Sequence, residues 1–427
     1  MGAKHSNIKE DHTKFPFWCG YLPDADALEL LKNKNEFLLR CLENDSLSLT
    51  LYGGSEKASK NLGIRLESIL GLTLYGGPEK ASLNLISNFI LEKNNSGWHL
   101  AGQKSTEPTS KELVEFYWCT KQAIILKGDC DRLESPILRP HWLLSSAKVW
   151  FGDKLGEGAY GVVYKGELLD GGTVIDVAIK QLVGKDMKKE QIANLWSEAR
   201  IMTALRNEHV IRFYGIVNDS KPFSIVLEYI NGKSVDNFLK EEGSDSDDKM
   251  RTKIILGAAR GMKYLHSQNP PFLHLDLATR NLLINWTGRS KTINNMTVKV
   301  ADFGLSKRGQ KHTIDVNQPT NLRWLDPDSF RSKSVDKLTD VYAFGITLFE
   351  VFSRPYEFPY AKWSGQKVYE QVINVPKSKR KRLNTPDGMP VAFVNLMKDC
   401  MKFDEDRDKR PSFEQIERIV DNLYRKM

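Results

Sequence analysis

In KLGEGAYGVVYKGEL, residues 154–168, glycines stand at positions 156, 158 and 161. Without a Cβ, backbone at such positions can approach a ligand closely. The G-x-G-x-x-G spacing alone is weak, because dinucleotide folds use it too. Those folds run from the glycines into a helix, whereas VVYKGEL is β-branched and aromatic and reads as a strand. A glycine turn joining two strands suits a lid over nucleotide phosphates. The next strand, DVAIKQL (176–182), carries Lys180, a cation that reaches α- and β-phosphates when a carboxylate holds it. Further along stand Asp276, Asn281 and Asp302. A carboxylate can accept or orient a hydroxyl proton, and hard oxygen ligands hold magnesium.

These side chains need a frame. In QIANLWSEARIMTAL, the residues Ile192, Leu195, Ala199, Met202 and Leu205 fall on one helical face, with Glu198 at its border. Read alone, Glu198 is a solvated glutamate; following VAIK, it is the expected partner of Lys180. IVLEYING (225–232) reads as a buried strand running into a loop, and KIILGAARGMKYLH (253–266) as a helix leading to HLDLATRN (274–281). EEGSDSDDK (241–249) reads as an acidic loop without chemistry.

The ordered series resembles a protein kinase over about 270 residues. HLDLATRN is similar to the catalytic loop H-R-D-L-x-x-x-N, and ADFGL (301–305) to its magnesium segment. DVYAFGITLFEVF (340–352) and DKRPSF (408–413) are similar to two helix signatures of the C-terminal lobe. The resemblance implies Asp276 as base, supported by Lys180, Glu198, Arg280 and Asn281, and Mg²⁺ on Asn281 and Asp302. It implies ATP beneath Leu155, Gly156, Glu157, Gly158, Ala159, Tyr160, Gly161, Val162 and Val163. Ala178, Leu283, the gatekeeper Leu227 and the hinge residues Glu228 and Ile230 would enclose the rest of it. Arg280, four residues after Asp276, is the tyrosine-kinase form, and LRWL (322–325) resembles the substrate loop of those enzymes. Protein tyrosine is the implied acceptor.

Four departures bear on activity. Leu275 replaces the arginine that in the family grips a phosphorylated activation-loop residue. The segment from Asp302 to Asp328 contains no tyrosine; its hydroxyls are Ser306, Thr313 and Thr320. Receiver and target are thus absent together, which suits an active enzyme without that switch. DPD, Asp326 to Asp328, stands in place of A-P-E, with Asp328 expected to pair with Arg410. Asn321 occupies a proline position of the substrate loop. The alternative is a pseudokinase scaffold that binds ATP and partners without phosphate transfer.

Upstream, FPFWCGYLPDADALELLKNKNEFLLRCLE (15–43) resembles the opening of a Src-homology-2 (SH2) domain, with TSKELVEFYWCTKQ (109–122) as its later helix. The resemblance implies Arg40 as a bidentate phosphotyrosine ligand. Asp24, in place of a helper arginine, and Asn88, in place of a histidine, argue for a degraded pocket. LTLYGGSEKASKNL (49–62) recurs as LTLYGGPEKASLNL (72–85), and two copies are too few for a solenoid. The expected fold class is α+β, an SH2-like central antiparallel sheet flanked by two helices, then a bilobal kinase. The expected divisions are a tail (1–14), the SH2-like domain (15–128), a linker (129–147) containing RPHWLL, and the kinase domain (148–427). The pairing resembles the Fes/Fer family in a compact form, without that family's N-terminal F-BAR region.

Composition narrows the setting. The net charge of +8 includes KSKRKR (377–382), which reads as a solvated loop because no aromatic residues interleave it; no nucleic-acid partner is expected. The five cysteines form no C-x-x-C pair, and no apolar run approaches a membrane span, so a cytoplasmic setting is expected. MGAKHS matches the N-myristoylation pattern, making Gly2 a candidate lipidation site. One acyl chain binds membranes marginally, so any anchoring at the inner face of the plasma membrane should be reversible.

Overall fold

The computed structural model describes residues 17–33, 35–42, 46–52, 86–126, 129–158, 161–182, 189–243, 246–288, 290–315 and 321–427. Gly2, Ala159, Tyr160, Thr320 and nearly all of both repeat copies lie outside these residues.

The first unit contains β1 (Trp18–Tyr21), α1 (Asp24–Leu30), β2 (Glu36–Cys41), β3 (Leu47–Tyr52), β4 (Ile86–Asn94), β5 (Gly97–Leu100) and α2 (Ser110–Thr120). The strands lie in the order β1-β2-β3-β4-β5, and Ser135–Pro136 adds to the sheet beside β2. The sheet is mixed rather than purely antiparallel, because β1 and Ser135–Pro136 run parallel to β2. Alternation along EFLLRC sends Phe37 and Leu39 into one core with Leu113, Val114 and Tyr117 of α2. Leu38 turns to the other face, with Ala27 and Leu31. α2 begins with a capping box between Thr109 and Glu112, which satisfies the first free amides.

The expected linker is built into both units. After pairing with β2, the chain forms β6 (Leu143–Leu144) at the edge of a second six-stranded sheet. That sheet contains β7 (Val149–Gly158), β8 (Gly161–Asp170), β9 (Thr173–Gln181), β10 (Phe213–Val217) and β11 (Ser224–Glu228), ordered β7-β8-β9-β11-β10-β6. α3 (Lys189–Thr203) connects β9 to β10 and buries Leu195, Ala199 and Met202 as its periodicity predicts, and Trp196 beside that face.

The helical lobe follows, with α4 (Asp248–Ser267), the hairpin β12 (Leu282–Trp286) and β13 (Met296–Val300), α5 (Lys337–Phe352), α6 (Val391–Cys400) and α7 (Phe413–Arg425). α5 is buried along nearly its whole length, so it forms the axis of the main core with Met262, Val300, Phe393 and Ile416. Its two buried carboxylates, Asp340 and Glu350, are therefore costly unless bonded. The basic run departs from expectation at Arg380, whose side chain is 1% exposed. Its guanidinium and that of Arg382 lie 4.5 and 4.6 Å from the Phe403 ring, so a cation–π sandwich displaces a wholly solvated loop.

The two units share one apolar cluster. Tyr21, Leu22, Ala27 and Leu31 of the first pack with Trp196, Ala199, Phe223 and Ile225 of the second. Tyr21 stacks on Phe223 with centroids 5.0 Å apart. Asn218 donates to the carbonyls of Cys19 and Tyr21 at 2.7 Å each and accepts from the Tyr21 amide. Buried Asp26 accepts from Arg200 of α3 at 2.7 Å, and burial pushes its carboxyl up to about 6 against the pull of Arg200. Gly20 makes the approach possible: its φ is +65° and a Cβ would lie 2.9 Å from Asn218 Oδ1. Gly20→Val is therefore expected to open this contact, raising hydrogen exchange in α3 by about tenfold or more. Unchanged protection of α3 would contradict the contact.

Candidate active site

β7 and β8 bring the glycine residues together, with Gly158 paired to Gly161. Gly161 has φ +147° and would place a Cβ 2.3 Å from the Gln181 carbonyl, so no larger residue fits there. Along the sheet, Val163 lies opposite Lys180, and Ala178 opposite Leu227. Glu228 ends β11, with Ile230 just beyond, and Leu283 sits on β12.

Lys180 Nζ lies 2.9 Å from both Glu198 oxygens and 3.3 Å from Asp302 Oδ1. Glu198 is buried on the face of α3 turned to the sheet, which rules out the solvated reading. Burial pulls the Lys180 ammonium down, but Glu198 and Asp302 outweigh it and raise it above its usual range, so it stays charged. Burial pushes the Asp302 carboxyl up; Lys180, His274 and the Gly304 amide outweigh that and hold it below the usual range.

The catalytic-loop residues converge from Asp276. Its Oδ1 accepts from Arg280 and, at 2.9 Å, from Asn321 Nδ2. Its Oδ2 accepts from Asn281 Nδ2 at 2.7 Å. With its nitrogen spent on Asp276, the amide oxygen of Asn281 is the atom left to meet a cation. Asn281 and Asp302 therefore fit magnesium, which usually takes one or two protein oxygens together with substrate phosphates. When bound, magnesium would neutralise charge developing on the transferred phosphate.

The loop is held from beneath by a residue whose role the sequence reading missed. Asp340 accepts from the amides of His274 and Leu275, both at 2.8 Å, and bonds His266 at 2.8 Å. Leu275 has φ +66° and Asp302 φ +64°, left-handed values that cost energy for residues other than glycine. The Asp340 bond fixes the first of them. A carboxylate inside the otherwise apolar DVYAFGITLFEVF was the available signal. Glu350 on the same helix accepts from Thr279, Tyr356 and the Trp324 indole, and burial pushes its carboxyl up despite these donors.

Arg410 also departs from expectation. It makes a bidentate pair with Asp326, at 2.8 and 2.9 Å, while Asp328 lies 3.7 Å away and pairs with Arg331. Asp326 caps the helix Pro327–Ser332, which places its carboxylate inside the lobe, where Arg407 joins it at 3.0 Å.

Residues 149–420 match the family described as protein tyrosine and serine/threonine kinase. The chain belongs to that family. A probable serine/threonine-protein kinase, SIS8, of Arabidopsis thaliana is 33% identical over 294 residues, covering 68% of this chain and 26% of its own. Ephrin type-B receptor 1 of Gallus gallus is 34% identical over 278 residues, covering 64% of this chain and 26% of its own. The chain thus spans about a quarter of the length of these curated relatives. It carries a protein kinase catalytic domain, a phosphotransferase fold that in general uses ATP and Mg²⁺ on protein substrates.

Arg40, the other candidate ligand, lies in the first unit with 1% of its surface exposed. Its Nε donates to Thr50 at 2.8 Å, its Nη1 to the Leu22 carbonyl, and its Nη2 to Asp24 and, at 3.0 Å, to Asn88. A phosphate would have to displace the Asp24 carboxylate.

Proposed function

We propose that the protein is a non-receptor tyrosine kinase, active without phosphorylation of its activation segment, whose N-terminal SH2-like unit braces the catalytic domain. The observation that carries the reading is the assembled Lys180–Glu198–Asp302 cluster beside a fully donated Asp276. In this reading Asp276 takes the acceptor hydroxyl proton while Lys180 and the glycine turn hold the phosphates in place.

The tyrosine assignment rests on Arg280, whose guanidinium lies 4.5 Å from the Trp324 ring and bonds Asp276. That stack joins the base to the loop that would seat a bulky acceptor. The substrate loop is tied to the neighbouring segment by Arg323, which donates to the carbonyls of Pro359, Tyr360 and Trp363. Leu275→Arg is accordingly expected to leave the transfer rate within about twofold, since the segment has no phosphotyrosine for the new cation to grip. A rate gain of tenfold or more would contradict this.

The brace reading rests on the shared apolar cluster behind α3 and on Asp24 occupying the Arg40 guanidinium. Docking of phosphotyrosine peptides is then secondary to support of Glu198. A cytoplasmic protein, recruited reversibly to the inner membrane face by a myristoyl group on Gly2, completes the proposal.

The test is phosphate transfer from Mg-ATP to a Glu/Tyr copolymer and to a Ser/Thr protein acceptor, with phosphoamino-acid analysis. Phosphotyrosine as the dominant product supports the reading; phosphoserine or phosphothreonine alone would overturn its acceptor class.

A further inference from the structure

Asn321 stands apart from the other donors to Asp276. Arg280 and Asn281 belong to the same short loop as the carboxylate, whereas Asn321 arrives from 45 residues away. Its carbonyl also accepts from the amides of Trp324 and Leu325 at 3.0 and 3.1 Å, so the same residue starts the turn that forms the substrate loop. The far side of that turn returns to the base, because the Trp324 ring lies under Arg280 and its indole donates to Glu350 at 2.9 Å. The path Asp276–Asn321–Trp324–Arg280–Asp276 closes on itself.

We infer that Asn321 is a positioning residue that locks the substrate loop to the Asp276 carboxylate and aims its remaining lone pairs at the acceptor hydroxyl. The inference rests on the kinase reading above. Oδ1 already receives two donors, so the orientation of the carboxylate is set before an acceptor arrives. Leu275 and a tyrosine-free activation segment leave the chain without the arginine–phosphotyrosine latch that would otherwise order this loop. The amide of Asn321 supplies that order from within, and Asn321 is exposed enough for its side chain to be changed without disturbing the core.

The experiment compares the full-length wild type with Asn321→Ala, Asn321→Asp and Asn321→Gln, measuring kcat, KM for each substrate and the melting temperature. Asn321→Ala is expected to lower kcat about tenfold with KM for Mg-ATP unchanged, since a hydrogen bond to a charged group is lost. KM for the acceptor is expected to change far less than kcat, because the lost bond orients the reacting carboxylate rather than seating the substrate. Asn321→Asp, isosteric but unable to donate, is expected to fall further, and Asn321→Gln to recover most of the rate. A loss confined to KM for the acceptor, with kcat unmoved, would make Asn321 only a structural part of the loop and overturn the inference. An Asn321→Ala enzyme with wild-type kinetics would overturn it while leaving the kinase reading intact. A wild type that transfers no phosphate would overturn both.

Discussion

Asp276→Asn is expected to lower phosphate transfer by about a thousandfold while nucleotide affinity stays within about twofold. The geometry separates these effects. Arg280 and Asn321 can still donate to the oxygen of an amide in place of Asp276, but its NH₂ can accept neither the Asn281 bond nor a hydroxyl proton. Lys180, Glu198 and Asp302 form a separate cluster that the substitution leaves alone. Single-turnover transfer, read beside nucleotide binding by calorimetry, distinguishes the outcomes. A variant retaining more than a tenth of the wild-type rate would remove Asp276 from the role of base.

Asp326→Ala is expected to cost about 3–5 kcal/mol, because it leaves the fully buried Arg410 guanidinium without its bidentate partner. At the usual scaling for a domain of this size, the melting temperature would fall by roughly 10 °C. Asp328→Ala should cost far less, since Asp328 lies 3.7 Å from Arg410 and its main partner, Arg331, is on the surface. The pH dependence follows from the same pair. Burial pushes the Asp326 carboxyl up, but Arg410, then Arg407, outweigh it and hold it below the usual range. A group depressed in the folded state contributes stability above its unfolded pKa, near 4, and that stability is lost as pH falls through the lowered value. Calorimetric melts should therefore show a steeper acid-side loss for wild type than for Asp326→Ala. Equal melting of wild type and both variants would place the structural carboxylate elsewhere.

The grouping of Lys180 with Glu198, and of Asp276 with Asn281, was legible because the order of short segments along the chain announces it. Lys180 follows a β-branched strand, Glu198 sits at the border of a helical stripe, and Asp276 and Asn281 share one loop. What stayed hidden depends on contacts between distant segments. Asp326 and Asp328 flank a single proline, and only the capping of the helix at Pro327 decides which carboxylate turns inward. Asp340 and Glu350 look like polar interruptions of an apolar helix until the catalytic loop packs over them. Asp24 was legible as unfavourable to phosphate, yet its pairing with Arg40 follows from the turn between β1 and α1. The shared cluster behind α3 was invisible for a similar reason: Tyr21 and Trp196 satisfy the core pattern of their own elements equally well without each other.

The most direct test of the central claim is phosphate transfer by the full chain after phosphatase treatment, with the phosphatase removed before Mg-ATP is added. The proposed independence from activation-segment phosphorylation predicts immediate, linear transfer at the untreated rate. A lag that ends as the protein phosphorylates itself, or no transfer by folded protein that binds ATP, would contradict it.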